Sequence, residues 1–172
     1  MATLNRIHFE RSSYREMLIE HVFAGELMRH YWLLEKDLLE VAKPQVDDGG
    51  YDLILQANGV IRHLQLKSSH ATSKLQTANV ALSLGDKPSG CVVVIRFNAD
   101  TLQIGPFQFF GGLPGERLPN ISGFKAAKNP RPNMQGVKTE RPAHRCVPLT
   151  RFERLASLEL LAERLFGINL TA

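Results

Sequence analysis

The Asn58-Gly59 dipeptide, which lies between two runs of alternating apolar residues, constrains the fold of this chain more than any other feature. Both residues tolerate positive φ, as a two-residue type I′ turn requires, so the dipeptide predicts a tight β-hairpin. A turn of this kind fixes the pairing of the two strands. We therefore expect Ala57 to pair with Val60, and Asp52 to lie opposite Gln65.

This pairing separates the hairpin residues into two faces. One face is almost wholly apolar and should pack on a core: Leu53, Leu55, Ala57, Val60, Arg62, Leu64 and Leu66. The other face carries Ile54, Gln56, Ile61 and His63, and its open end carries Asp52, Gln65 and Lys67. Carboxylate and amide oxygens suit Mg²⁺, and a lysine beside them could orient or deprotonate a water molecule. The alternative is a solvated face without a site.

A helix is predicted before the hairpin. It should begin at Ser12 or Ser13, with Glu16 as a capping-box partner, and continue to about Trp32. Helical spacing places these residues on one side: Leu18, Ile19, Val22, Phe23, Glu26 and Arg29. Glu26 thus falls near the middle of an apolar face, where a carboxylate needs a partner such as a metal ion or a lysine.

Asp52, twelve intervening residues and Gln65-Leu66-Lys67 resemble the motif of the PD-(D/E)XK nuclease superfamily. The resemblance covers roughly residues 13–97. The lead-in Gly49-Gly50-Tyr51 and the glutamine in place of glutamate look most like the Mrr-like restriction endonuclease branch. The resemblance implies an α/β domain with a restriction-endonuclease-like mixed sheet flanked by helices. It also implies hydrolysis of DNA phosphodiester bonds that depends on Mg²⁺ or Mn²⁺.

The same resemblance implies roles for individual residues. Asp52 and one helix glutamate would bind the metal, and two positions match that glutamate: Glu26, which its place on the helix face favours, or else Glu20. The Gln65 side-chain oxygen would be a weaker ligand, and Lys67 would position the attacking water. Two other interpretations stay open. The domain could bind nucleic acid with a weak or inactive centre, or it could be a structural or interaction protein.

The positive charge is concentrated in one segment. The net charge is +4, but Lys125 to Arg145 alone carries +5. Such a segment suits a polyanion such as DNA, although a solvated basic loop would look the same. The expected nucleic-acid contacts are Ser69, His70 and Lys74 in the loop after Lys67, and Lys125, Lys128, Arg131, Lys138, Arg141 and Arg145 in the basic segment.

The other elements follow from composition and periodicity. Cys91–Phe97 is an apolar, β-branched run typical of a strand buried on both faces. Leu38–Val46 predicts an edge strand interrupted at Pro44, and Phe107–Phe110 predicts a further strand whose aromatic rings pack in the core. Residues 118–148 are rich in glycine, proline and asparagine and predict an irregular segment. An amphipathic helix is expected over residues 150–166, capped by Thr150.

Length and composition indicate an ordinary globular protein. A chain of 172 residues with 44% hydrophobic and 22% charged residues predicts one domain. There is no apolar run long enough to span a membrane and no apolar leader at the N-terminus, so we expect a cytoplasmic protein without a membrane partner. The two cysteines match no zinc or disulfide framework and are expected to be reduced. The chain could assemble as a homodimer.

Overall fold

The structure is a computed structural model that describes residues 10–34, 38–46, 48–129 and 134–167. In chain order its elements are α1 (Ser12–Leu34), β1 (Glu40–Ala42), β2 (Leu53–Ala57), β3 (Val60–His70), β4 (Thr77–Ala81), a 3₁₀ helix (Leu82–Asp86), β5 (Gly90–Phe97), β6 (Ile104–Gly111), β7 (Ala126–Lys128), β8 (Glu140–Pro148), a second 3₁₀ helix (Leu149–Arg151), β9 (Glu153–Leu155) and α2 (Leu158–Phe166).

Six strands form a mixed sheet in the order β1-β2-β3-β5-β6-β9. The pair β3–β5 is parallel, and the other neighbours are antiparallel. A second sheet of three antiparallel strands has the order β4-β8-β7. The predicted α/β class and mixed sheet are therefore confirmed. Strand β1 lies at the edge of the large sheet, as expected for the segment that Pro44 interrupts.

The hairpin has the predicted register. Ala57 pairs with Val60 and Ile54 pairs with His63. Asn58 and Gly59 have φ angles of 51° and 73°, which are the positive values that a type I′ turn needs. The predicted apolar face is also confirmed, because Leu53, Leu55 and Leu64 are buried in the main core.

The large sheet separates two hydrophobic cores. Both helices pack on one face, where Phe23 of α1 and Leu161 of α2 meet Val93 and Ile95 of β5. The other face is covered by the smaller sheet and the loop before β7, and Val92 and Val94 of β5 point into this second core. Strand β5 is thus buried on both faces, as its apolar run predicts. Both helices of the described residues thus lie on the same face of the sheet.

Arg62 is the exception on the apolar face of the hairpin, since it is fully buried there. Its Nε donates to the carbonyl of Leu165 at 2.6 Å, and its other nitrogens donate to the carbonyls of Gly112, Leu113 and Arg164 at 3.3 Å each. Burial lowers the pKa of this guanidinium. Because the last carbonyls of a helix lack intrahelical donors, Arg62 both satisfies the end of α2 and joins it to the sheet.

Two predicted boundaries differ from the structure. Residues 118–148 are not irregular throughout, because β7 and β8 form most of the second sheet there. The ladder between these strands is interrupted where Ala126 pairs with Arg145 but Ala127 pairs with Arg141, and Pro142 falls in that gap. A proline that cannot donate is tolerated at such an interruption.

The C-terminal helix is shorter than expected, with bounds Leu158–Phe166 instead of 150–166. Ser157, not Thr150, is the N-cap residue, and its hydroxyl accepts a hydrogen bond from the Leu160 backbone. Phe152 and Leu155 match the helical period, but they lie in the segment of the second 3₁₀ helix and β9 and are buried in two different cores. The predicted stop is confirmed, since Gly167 takes the left-handed conformation that ends the helix.

Candidate active site

Strand β3 is longer than its partner β2. The pairing with β2 ends where Leu53 meets Leu64, whereas the pairing with β5 continues to His70 and Phe97. Residues 66–70 therefore have β5 on one side and no described strand on the other. This open end of β3 lies beside Asp52, the residue just before β2.

Asp52 closes the ladder at this point. Its backbone N–H donates to the carbonyl of Leu64 at 2.8 Å, and its Oδ2 accepts from the backbone N–H of Leu66 at 2.6 Å. The side chain thus takes the place of the next strand residue and is held at the start of the open end.

Gly50 makes the approach to Asp52 possible. Its φ is +73°, and a Cβ at this position would lie 2.5 Å from Ser83 Oγ and 2.6 Å from Ala81 Cβ. Only glycine combines this backbone conformation with so close an approach. The glycine before the Tyr51-Asp52 pair therefore has a packing role that also sets where Asp52 enters the sheet.

A cleft of about 340 Å³ opens between α1 and the open end of β3. Its floor and walls include apolar side chains, among them Ile19 and Ile95. The polar residues that line it are Glu16, Glu20, Lys43, Asp52, Lys67 and Ser68. Two of the predicted residues, Asp52 and Lys67, thus meet in one cleft with the alternative helix glutamate, Glu20.

Glu20 is the more buried member of an ion pair. Its Oε1 lies 2.6 Å from Lys43 Nζ, and the side chains of Glu20 and Lys43 are 16% and 55% exposed, respectively. Lys43 follows β1 and approaches the cleft from the edge of the sheet. A cation that bound Glu20 would have to share this carboxylate with the Lys43 ammonium or displace it.

The favoured helix glutamate, Glu26, does not line the cleft. Its side chain is 42% exposed and pairs with Arg29 on the same helix at 2.7 Å. The face that α1 buries consists of residues four apart: Ile19, Phe23, Leu27 and Tyr31. The prediction placed the buried face too close to Val22 and Glu26, because α1 also carries exposed apolar residues such as Met28 and Trp32 that blur its periodicity.

Gln65 does not line the cleft either. Its side chain is buried at 5% exposure, and its Oε1 accepts from the backbone N–H of Ala81 at 3.2 Å. In β3 it pairs with Val92, which belongs to the second core. The structure therefore brings Asp52 and Lys67 to one cleft, as the hairpin predicts. The Gln65 amide instead forms a hydrogen bond with Ala81, the last residue of β4.

Ser68 supplies a polar atom that the sequence analysis did not select. Its Oγ is buried in the cleft wall, and no hydrogen-bond partner for it occurs among the described residues. Buried hydroxyl groups in folded proteins nearly always have a protein or water partner. An unsatisfied hydroxyl beside carboxylates and an ammonium indicates that the cleft suits a polar ligand.

The chemistry of these donors is compatible with Mg²⁺ or Mn²⁺. Mg²⁺ keeps several waters and is often bound through one or two carboxylates together with substrate phosphates. Glu20 and Asp52 would supply two carboxylates, with Glu16 also at the cleft. Within the described part of the chain, however, no three histidine, cysteine, aspartate or glutamate side chains form a ready metal cluster.

The residues predicted to contact nucleic acid from the loop after Lys67 fall in two places. Ser69 and His70 belong to β3 itself, and Lys74 is exposed beyond its end. Ser69 Oγ accepts from Arg96 at 3.2 Å, and the His70 ring packs on Phe97 with ring centroids 4.6 Å apart. Ser69 and His70 thus contribute to the packing of the strand, and Lys74 remains accessible.

The basic segment contributes β7 and part of β8 to the smaller sheet. Lys125, Lys128 and Lys138 are exposed, whereas Arg141 and Arg145 are partly buried. Arg145 donates to the carbonyls of Ser122 and Pro142, and Arg141 contacts His144 at 3.2 Å. Three exposed lysines therefore remain from the predicted cluster, and Arg131 lies outside the described residues.

No helix among the described residues is both long and apolar enough to cross a membrane.

Comparison with family models found no match for this chain, and comparison with the curated proteins and with the solved structures found none either.

Proposed function

We propose that this protein is a metal-dependent nuclease that hydrolyses phosphodiester bonds of DNA in the cleft between α1 and β3. One observation carries the proposal. Glu20 from the helix, Asp52 from the start of β2 and Lys67 from β3 line the same cleft, although they are far apart in sequence. This set of residue types matches the PD-(D/E)XK superfamily that the Asp52 and Gln65-Leu66-Lys67 motif resembles.

Each residue has a role in this proposal. Glu20 and Asp52 would bind Mg²⁺ or Mn²⁺ through carboxylate oxygens. The ion would supply Lewis-acid stabilisation of the phosphate and favour deprotonation of water. Lys67 would hold the attacking water or offset the charge of the phosphate, and Ser68 Oγ would donate a hydrogen bond to an oxygen of the substrate. The excess of positive charge favours DNA as the substrate.

The contacts of Glu20 and Gln65 also predict that the metal is bound weakly. Lys43 already neutralises Glu20. The Gln65 amide, which the motif would offer as a ligand, accepts from Ala81 instead. The site thus has less negative charge than one with three carboxylates, so millimolar metal concentrations are appropriate for assays.

The test compares cleft variants with a matched variant outside the cleft. Glu20→Gln, Asp52→Asn and Lys67→Ala should each reduce Mg²⁺- or Mn²⁺-dependent cleavage of duplex and single-stranded DNA by about 100-fold or more. Asp52→Asn keeps an oxygen that can accept from Leu66, so folding should persist. Glu26→Gln makes the same change as Glu20→Gln on the same helix but outside the cleft, and it should retain activity within about twofold.

Cleavage that survives in Asp52→Asn and Lys67→Ala, or that is lost equally in Glu26→Gln, would exclude this cleft as the active site. Retention of folding is checked by circular dichroism and by thermal unfolding of each variant. Activity that is insensitive to a chelator would exclude the proposed metal requirement.

A second candidate function is nucleic-acid binding without cleavage. The observation that favours it is the combination of a neutralised Glu20, a hydrogen-bonded Gln65 and three exposed lysines around the smaller sheet. This function predicts that the DNA affinity falls steeply as the salt concentration rises, because each phosphate contact releases about one counterion from the DNA. Replacement of Lys125, Lys128 and Lys138 by glutamine would then lower both the affinity and the salt dependence, and no metal would produce cleavage.

A further inference from the structure

Two arginines converge on the side of the large sheet that carries the second core. Arg96 lies near the end of β5, Gln108 lies in β6, and Arg154 lies in β9 directly opposite Gln108. All three side chains line two neighbouring cavities of about 420 and 440 Å³. Three adjacent strands therefore bring two guanidinium groups and one amide to a common site.

The bonds of Arg96 fix its guanidinium without neutralising it. Its Nη1 donates to Ser69 Oγ at 3.2 Å and to the Ser73 carbonyl at 3.1 Å, and its Nη2 donates to Gln108 Oε1 at 3.2 Å. All three acceptors are uncharged. Burial and the neighbouring charge of Arg154 lower the pKa of Arg96.

Arg154 has fewer constraints. It is exposed, and no hydrogen bond or ion pair of its side chain occurs among the described residues. Its neighbour Glu153 pairs instead with Arg164 at 2.8 Å. In the described structure, then, two positive charges lie close enough to repel each other and neither one has a carboxylate partner.

The rest of the lining favours an anion. Because Gln108 Oε1 accepts from Arg96, its NH₂ group is the donor that it offers to a ligand. Ser73 lines one cavity, and Thr150 lines the other. A lining of guanidinium, amide and hydroxyl donors without a carboxylate matches the several acceptor oxygens and the charge of a phosphate group better than a neutral ligand.

We propose that Arg96, Gln108 and Arg154 form a phosphate-binding site, separate from the cleft at Asp52. The two sites share no lining residue. Ser68 lines the cleft, whereas Ser69, the next residue of β3, contacts Arg96. The site does not depend on whether the cleft hydrolyses DNA. Its ligand is either the backbone of a nucleic acid or a small phosphorylated molecule.

The experiment titrates inorganic phosphate into the full chain in the absence of divalent metal. The ionic strength is kept constant, and chloride is the reference anion. Binding is measured by calorimetry and by the rise in unfolding temperature. Arg154→Gln should weaken phosphate binding by about tenfold or more. Arg151→Gln is the matched control, since Arg151 is exposed, lies three residues away and lines neither cavity. Its affinity should stay within about twofold of the unmodified chain.

The two sources of phosphate are distinguished by competition. A short DNA duplex that displaces inorganic phosphate, and that binds more weakly to Arg154→Gln than to Arg151→Gln, identifies the nucleic-acid backbone. Phosphate binding that the duplex does not reduce identifies a small phosphorylated molecule.

The proposal is overturned if phosphate stabilises the protein no more than chloride does, or if Arg154→Gln and Arg151→Gln weaken binding equally. Asp52→Asn should bind phosphate at this site as the unmodified chain does, so loss of DNA cleavage in that variant would not affect the result.

Discussion

The two halves of β3 use polar residues in opposite ways. In the paired half (residues 60–65), β2 lies alongside residues 60–64 and β5 lies alongside from residue 63 onward, and the buried Arg62 and Gln65 are bonded to backbone groups. In the open half (residues 66–70), only β5 is alongside, and Ser68 lies in a cleft wall without a partner among the described residues. The two buried polar side chains of the paired half are thus bonded to the backbone, whereas the open half contains one buried hydroxyl, Ser68 Oγ, that is left for a ligand.

The largest effect should come from the paired half, at Arg62. Arg62→Ala would remove one donor from each of four carbonyls, of which Gly112 O keeps a second donor in Arg164, and it would remove a side chain that lies over the Phe109 ring. We expect the free energy of unfolding to fall by about 4 kcal/mol, measured by urea denaturation. Arg154→Ala, an exposed arginine, should change it by less than about 0.5 kcal/mol. A similar loss in both variants would show that the carbonyl contacts contribute little.

The same substitution at Leu64 and Leu66 allows a direct comparison of the two halves, because both leucines lie on the same face of one strand. Leu64 is fully buried, whereas Leu66 is partly buried and lines the cleft. We expect Leu64→Ala to lower the free energy of unfolding by about 3 kcal/mol and Leu66→Ala by about 1 kcal/mol. Equal losses would contradict the distinction between a closed and an open half.

The free energy of unfolding should also depend on alkaline pH, because of Cys91. This residue of β5 pairs with Leu64 in the paired half of β3. Burial raises the pKa of this thiol from 9.0 to about 12. The folded protein therefore keeps a proton that the unfolded chain loses, so stability is fully present below pH 9 and falls as the pH rises towards 12. The expected slope is up to about 1.4 kcal/mol per pH unit.

Cys91→Ala provides the control, because tyrosines and lysines also titrate in this range. The difference in unfolding free energy between the two proteins should shrink from pH 8 to pH 11. A difference that stays constant would mean that the thiol is not protected in the folded state.

The smallest effect is expected for Ser68 in the open half. Ser68→Ala removes a hydroxyl without a described partner, so the unfolding free energy should change by less than about 0.5 kcal/mol. Ser69→Ala should cost about 1 kcal/mol, since Ser69 Oγ accepts from Arg96. A large loss for Ser68→Ala would indicate a structural hydrogen bond and weaken the assignment of this hydroxyl to a ligand.

The local elements could be predicted from the sequence because their signals are local. The Asn58-Gly59 turn specifies both its backbone conformation and the strand pairing, and the β-branched run after Cys91 specifies a strand buried on two faces. The start of the C-terminal helix could not be predicted in the same way. Phe152 and Leu155 fit a helical period equally well when they are buried separately by the two cores.

The candidate site could be predicted in part. Asp52 and Lys67 follow from the hairpin, and both line the cleft. The helix glutamate could not be chosen reliably, because successive helix residues are about 100° apart around the axis. An error of one residue in the centre of the buried face therefore turns a different glutamate towards the cleft. Lys43, Arg96 and Arg154 gave no signal at all, since each is a single basic residue that becomes notable only through neighbours distant in sequence.

The sequence by itself determined the hairpin, its register, the long first helix and the central strand, because turn geometry and side-chain periodicity act over a few residues. The tertiary structure alone decided that Glu20 rather than Glu26 reaches the cleft, that Gln65 is held by Ala81, and that Arg96 and Arg154 meet. These outcomes depend on how helices rotate and sheets stack as apolar surface is buried, and that packing is a property of the whole chain.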